Sequence, residues 1–268
     1  MDLISILKYA LIGFIQGLTE PLPISSSAHM ILFSELLNIN NNNLDFEIII
    51  NFASTMAIIL FFRKRIIAFF KNIFTKKKDK SYANLNLEYL IKLMIASIPS
   101  VIVGLIFKDV IDKYFTNSMF VSLALIITSI MLFFTFIISK NKARLCDEIS
   151  FFDAILIGIM QSFALAPGIS RSGSIFFSGT SRNINIRKIF EFSFFLYLIV
   201  SVGALVLSIP KIPSLNIDLV TLVITFIITF ITTFFSIKIF EKILSYKTVL
   251  IFAIYTLLAG IIFLLINI

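Results

Sequence analysis

Gly158-Ile-Met-Gln161-Ser-Phe-Ala-Leu-Ala-Pro167-Gly168-Ile-Ser170-Arg171-Ser172-Gly173-Ser174 is an apolar segment that stops at Pro-Gly and restarts among Ser, Arg and Gly. Pro167 lacks a backbone N–H and Gly168 is a poor helix former, so no regular helix runs through the pair. A helix that restarts beyond it exposes N–H groups, hydroxyls and one guanidinium around a single point. Such a cluster suits an anionic group, above all phosphate. The flanking residues are almost wholly apolar, where charge is expensive, so an ionisable residue there marks a functional site.

The rest of the chain explains the setting. It has 268 residues, 59% of them hydrophobic, and a mean hydropathy of +1.02. No soluble globular class fits, and several apolar runs are long enough to cross a bilayer. Phe is abundant and Trp is absent, so Tyr or Lys must anchor the interfaces. A lone Cys146 excludes an internal disulfide and a multi-Cys metal site, and a lone His29 excludes a two-His pair. The net charge of +8 does not point to nucleic acid. The positives sit in short loops between apolar runs: Arg63, Lys64, Arg65, Lys71, Lys76, Lys77, Lys78 and Lys80; Lys140, Lys142 and Arg144; Arg187 and Lys188; Lys238, Lys242 and Lys247. That pattern reports topology and contact with anionic lipid. The N-terminus carries Asp2 and Lys8 without a small-residue cleavage pattern, so no cleaved signal peptide is expected.

Six spans are expected: Phe46–Phe62, Leu87–Phe107, Met119–Ser139, Ile189–Ile209, Leu219–Ile237 and Thr248–Ile266. A surface helix is expected over Ile66–Phe74, after the Arg63-Lys64-Arg65 stop. Two regions read differently. Residues Ile4–Leu18 and Ser27–Leu37 are short apolar pieces around Thr19-Glu20-Pro21-Leu22-Pro23, and Phe151–Ser181 is likewise broken at Pro167-Gly168. Both read as re-entrant hairpins, which membranes tolerate where protein or a cavity covers the irregular backbone. The expected class is therefore an all-α polytopic membrane protein, one membrane domain over 1–268, with six transmembrane helices and two re-entrant broken-helix hairpins. Placing the loops near 63–86, 140–150 and 238–247 in the cytoplasm puts both termini outside.

The two broken regions match at a fixed offset. Gly13 aligns with Gly158, Gln16 with Gln161, Ser25 with Ser170 and Ser27 with Ser172. Each is followed by three spans, and an odd number makes the halves opposite in topology. Two inverted repeats are expected, about 1–139 and about 150–268, with the polar site at their interface. The first break offers Gln16, Glu20, Ser25, Ser26, Ser27 and His29. The second offers Gln161, Ser170, Arg171, Ser172 and Ser174. Phosphoryl chemistry needs this kit: donors for the non-bridging oxygens, a nucleophile and a proton carrier. Arg171 is the expected phosphate clamp. Ser26 lies three residues before His29, so on a helix they share a face, and His29 is the expected acceptor of the Ser26 proton. Ser25 is expected as a helix N-cap. Glu20 could orient His29, act as a base or hold a divalent cation. Glu47 and Glu191 are explained almost as well by favourable charge at helix starts.

These residues resemble the undecaprenyl-diphosphate phosphatase family, the BacA bacitracin-resistance proteins, over essentially the whole chain. The family's [E/Q]-x-x-x-E box with a following Pro-Ser-Ser-x-x-His stretch reads here as Gln16 to Glu20, then Pro23-Ile-Ser25-Ser26-Ser27-Ala-His29. Its P-G-x-S-R-S-x-x-T motif reads Pro167-Gly168-Ile-Ser170-Arg171-Ser172-Gly-Ser174-Ile175, with Ile175 in place of Thr. Asn51 stands where relatives often have His or Gln. The resemblance implies an enzyme of the bacterial cytoplasmic (inner) membrane that removes the terminal phosphate of undecaprenyl diphosphate for peptidoglycan synthesis. It also implies a divalent cation, Mg2+ or Ca2+, and a site open to the outer side. By the same likeness Glu20, Ser26, His29 and Arg171 are catalytic, and Gln16, Ser170 and Ser172 support them. The expected partners are a polyprenyl diphosphate lipid and membrane lipid, with a homodimer as the candidate assembly. A secondary transporter or flippase of the same lipid is the competing reading, since broken helices in inverted repeats are transporter architecture.

Overall fold

Short apolar pieces around a proline break, followed by long uninterrupted apolar runs, give the same order of helices twice. The computed structural model describes residues 3–39, 44–74, 85–115, 117–140, 146–208 and 218–266. In the first half α1 (Leu3–Thr19) and α2 (Ser26–Leu36) flank the first break, and α3 (Leu44–Phe74), α4 (Leu87–Tyr114) and α5 (Ser118–Lys140) follow. In the second half α6 (Phe151–Ser162), a single 3-10 turn and α7 (Arg171–Ser181) flank the second break. Then come α8 (Ile186–Ser208), α9 (Leu219–Ile243) and α10 (Tyr246–Ile266).

Among the described residues, five helices are long and apolar enough to cross a bilayer: Leu87–Phe107, Ser118–Lys140, Ile186–Val206, Leu219–Ile243 and Tyr246–Ile266. The chain is a multi-pass membrane protein. The expected span Phe46–Phe62 forms the first part of α3, and the expected surface helix is not separate from it. With no Pro or Gly between 46 and 74, and with Arg and Lys good helix formers, α3 runs straight through Arg63-Lys64-Arg65. Arg65 then donates to Glu241 at 2.8 Å, lies 3.7 Å from Glu191 and stacks on Phe62. α9 likewise carries Lys238 and Lys242 inside the helix rather than in a loop. The expected basic positions Lys76, Lys77, Lys78, Lys80, Lys142 and Arg144 lie outside the described residues.

The halves interlock reciprocally. α1 packs along α9, and α6 along α4, while α5 pairs with α10. The sequence reason is a glycine at the matching place in each short helix. A Cβ on Gly13 would lie 2.6 Å from Thr225 Cγ2, and one on Gly158 only 2.5 Å from the Ala96 carbonyl oxygen. Close helix contact through small residues is how apolar helices associate in lipid. On α9 the facing stripe is Thr221, Thr225, Thr229 and Thr233, all buried. Thr229 donates to the Gly13 carbonyl at 3.0 Å, and Ser236 to the Leu18 carbonyl at 2.7 Å. A separate aromatic core gathers Phe62, Phe69, Phe190, Phe192, Phe194, Phe195, Tyr197 and Phe240. Large apolar side chains such as Leu105, Val206 and Ile251 remain exposed on the outer surface, the complement of a lipid phase.

Candidate active site

In the first break Pro21 and Pro23 end α1 and hold the chain out of helix until Ser26. Ser25, the residue before α2, has φ 66° and ψ 89°. That left-handed geometry is costly for a residue with a Cβ and clusters at functional sites. The expected side-chain cap is not made: Ser25 Oγ instead lies 3.3 Å from Ser27 Oγ. In the second break the positive φ of 98° falls on Gly168, where a Cβ would lie 2.5 Å from Ala124. Thr128 of α5 stitches this loop, donating to the Gly168 carbonyl at 2.8 Å and accepting from the Ser170 N–H at 2.9 Å. Ser170 is the N-cap of α7 and accepts from the Gly173 N–H at 3.1 Å.

The breaks meet. Ser172 donates to the Leu22 carbonyl at 3.3 Å across them. At the centre Arg171 Nη2 donates to Glu20 Oε1 at 2.5 Å. Ser26 Oγ donates to Glu20 Oε2 at 2.5 Å, and Gln16 Nε2 to the same oxygen at 3.0 Å. The Glu20 side chain is only 3% exposed and Arg171 27%. A carboxylate this buried is held by its partners: three donors and one opposite charge offset its desolvation. The guanidinium lies over the Tyr197 ring, 4.0 Å from its centroid.

A cavity of about 700 Å3 opens between the breaks. Glu20, Ser25, Ser26, Ser27, Gln161, Ser170, Arg171 and Ser172 line it, as do Glu47, Asn51 and Ser100. Its remaining wall is apolar, with Leu22, Ile31, Ile111, Leu165 and Val200. The site thus has a polar floor for phosphate and an apolar side suited to a hydrocarbon. Gln16 reaches it only through Glu20. Gln161 donates to Ser100 Oγ at 3.1 Å.

Two expected positions sit elsewhere. His29 is buried, with Nδ1 2.8 Å from the Ser25 carbonyl and Nε2 2.8 Å from the Tyr255 hydroxyl. A carbonyl only accepts, so Nδ1 carries the proton and Nε2 accepts from Tyr255. Both nitrogens are engaged and His29 does not line the cavity, so the expected Ser26–His29 pair is not formed. The carboxylate, folded back across Pro21-Leu22-Pro23, occupies that place. Ser174 is fully buried and donates to the Ser170 carbonyl at 2.9 Å. It faces α5 beside Met131 and not the cavity. Ile175 is fully buried in the apolar core. Sequence reasoning passed over Tyr197, Thr128, Ser100 and Tyr255. Tyr197 and Tyr255 carried a signal, each a tyrosine deep inside a span rather than at an interface.

A divalent cation meets a limited donor set. Among the described residues no group of three His, Cys, Asp or Glu side chains could hold a metal, so no protein-only cage is built. What is present fits a cation shared with substrate phosphates, the usual arrangement for Mg2+. Glu20 would supply the carboxylate; Gln16 Oε1 is a buried oxygen with no hydrogen-bond partner but does not line the cavity.

Comparison with known proteins bears on this geometry. A family model described as "Bacitracin resistance protein BacA" matches residues 9–262. "Undecaprenyl-diphosphatase 2" of Bacillus thuringiensis (strain Al Hakam) is 38% identical over 264 residues, covering 96% of each chain. "Undecaprenyl-diphosphatase" of Acholeplasma laidlawii is 35% identical over 272 residues, covering 97% of this chain and 96% of its own. That of Oceanobacillus iheyensis is 33% identical over 270 residues, with 97% and 96% covered. With the match running from α1 to α10 and taking in both breaks, the chain belongs to the BacA bacitracin-resistance family.

Proposed function

We propose that this protein hydrolyses undecaprenyl diphosphate to undecaprenyl phosphate and inorganic phosphate, returning the lipid carrier to peptidoglycan synthesis. The single observation that carries the reading is the Ser26–Glu20–Arg171 contact. It sets a hydroxyl on a carboxylate beside a guanidinium, in a cavity with an apolar wall. The names of the relatives supply the substrate.

The chemistry follows from the residues. Arg171 and the N–H groups at the start of α7 hold the non-bridging oxygens of the terminal phosphate, and Leu22, Ile31 and Val200 pack against the first prenyl units. Ser26 Oγ attacks the terminal phosphorus as its proton passes to Glu20. A new P–O bond to serine forms and the anhydride P–O bond breaks, releasing undecaprenyl phosphate. Glu20 first passes the serine proton to the departing lipid phosphate. Water then attacks phosphoserine with the ionised Glu20 taking its proton, the P–O bond to serine breaks, and Glu20 returns the proton to Ser26 Oγ as inorganic phosphate leaves. His29 acts through the backbone, holding the strained Ser25 that aims Ser26. A Mg2+ or Ca2+ ion held by Glu20 would neutralise charge on the diphosphate. A lipid carrier without hydrolysis needs no hydroxyl seated on a carboxylate, which disfavours the transporter reading.

The reading also places the protein in the bacterial inner membrane with its cavity open to the outer face, and takes a homodimer as the candidate assembly. The test is phosphate release by the purified protein in detergent. Undecaprenyl diphosphate should yield one phosphate per lipid and leave the monophosphate intact. Binding of the lipid with no phosphate release would overturn the reading.

A further inference from the structure

We infer that Tyr197 and Asn51 form a second substrate-positioning unit, Tyr197 as the platform that fixes the Arg171 guanidinium plane and Asn51 as a further donor to the diphosphate. The inference rests on the reading of the site as one for a diphosphate lipid, and names which residues outside the two breaks complete it.

Three observations carry it. The Arg171 guanidinium carbon stands 4.0 Å from the Tyr197 ring centroid. An arginine sandwiched between a carboxylate at its edge and an aromatic face keeps little freedom to swing. Cation–π stacking is strongest where both partners are desolvated. Tyr197 is 2% exposed, and Arg171 has its other contact on buried Glu20. Second, the phenol is itself held. Its hydroxyl donates to Asn51 Oδ1 at 2.8 Å, and Thr55 Oγ1 lies 3.1 Å from it. The ring on α8 is therefore tied to α3, and Arg171 on α7 is indexed against both helices. Third, Asn51 lines the cavity. An amide whose oxygen takes the phenol proton has its NH2 group left to donate, and an NH2 facing a phosphate site supplies one more bond to a non-bridging oxygen.

This arrangement divides the work. Arg171 charge attracts the diphosphate whatever its orientation. Tyr197 sets the angle at which the two parallel N–H bonds of the guanidinium meet two phosphate oxygens, on which bidentate geometry depends. Tyr197 touches neither substrate nor the reacting atoms and is a positioning residue. Asn51 touches substrate.

The experiment compares Tyr197→Leu, Tyr197→Phe and Asn51→Ala in purified full-length protein. It reads kcat and KM on undecaprenyl diphosphate and, independently of turnover, affinity for inorganic diphosphate. Tyr197→Leu should lower kcat/KM about 100-fold, the cost of a misplaced catalytic group. Tyr197→Phe keeps the platform and loses only the tie, so it and Asn51→Ala should each lose about tenfold, mostly in KM. The reading that separates positioning from mere structure is a cycle with Arg171→Lys. Lysine lacks the plane that Tyr197 orients, so Tyr197→Leu should cost less than about threefold in that background. Equal losses in both backgrounds would overturn the platform role. Unchanged diphosphate affinity in Asn51→Ala would overturn the donor role. Should Tyr197→Leu fail to fold, Tyr197→Met, which also removes the aromatic face but fills the core flexibly, takes its place in the same cycle under the same criterion. If the protein releases no phosphate yet these affinity differences persist, the inference stands and the proposed hydrolysis falls.

Discussion

At the residue scale everything turns on Glu20. It accepts from Ser26, Gln16 and Arg171 together, so it joins the nucleophile to the clamp. Glu20→Gln keeps the shape but cannot take the Ser26 proton, and should lower kcat by about 10²–10⁴, the usual contribution of a general base. Arg171→Ala should lose about 10²–10³ in kcat, as for removal of a single donor to developing charge. Steady-state phosphate release checks both, and either variant within a few fold of the parent would refute the role. The sequence made these two residues legible because polar groups after proline breaks stand out against an apolar chain. The expected Ser26–His29 contact is not made, for a physical reason. Helical spacing put His29 on the face of Ser26, but spacing along one helix says nothing of a carboxylate returning across Pro21-Leu22-Pro23. Nor does it show that Tyr255, 226 residues away, takes the imidazole's other nitrogen. The signal at Tyr197 was easily passed over because an aromatic inside an apolar span looks like core, and it is also packed as core.

At the element scale the breaks were legible and the lengths of helices less so. The Pro21-Leu22-Pro23 and Pro167-Gly168 runs mark where helices stop, while the single Pro99 stays inside α4. A run of Arg and Lys marks only where a span leaves the bilayer, and α3 and α9 go on beyond it. Helices come close at Gly158, where backbone faces backbone. Gly158→Val forces α6 away from α4 and should destabilise the protein by about 1–3 kcal/mol or more. Thermal unfolding in detergent measures this, and an unchanged midpoint would contradict the close packing. Ile175 gives the opposite expectation. It lies in the core and not the cavity, so Ile175→Thr should leave kcat within about threefold of the parent. It buries a hydroxyl at a cost of about 1–3 kcal/mol. Enhanced turnover would show that this position reaches the substrate after all.

At the scale of the whole molecule, two halves with the same order of helices interlock through α1 on α9 and α6 on α4, and the site forms only where their breaks meet. The match of Gly13, Gln16, Ser25 and Ser27 with their counterparts marked the two breaks in the sequence, since those residue types suit close helix contact and anion binding. Orientation rests on the loop charges. Cys146, the only cysteine, is exposed, and the proposed orientation puts it in the cytoplasm. A membrane-impermeant maleimide should label it in inverted vesicles and not in intact cells. Lys113→Cys in a Cys146→Ser background should show the reverse pattern, and labelling of Cys146 from outside would invert the topology.

The central claim is that two kinked hairpins meet so that a serine from one, seated on Glu20, attacks a phosphate held by Arg171 of the other. The most direct measurement is phosphate release from undecaprenyl diphosphate by Ser26→Ala beside the parent protein. The account predicts a loss of about 10³-fold or more, the scale on which enzymes depend on their nucleophile, with binding of inorganic diphosphate retained. A Ser26→Ala protein that turns over within about tenfold of the parent would contradict it.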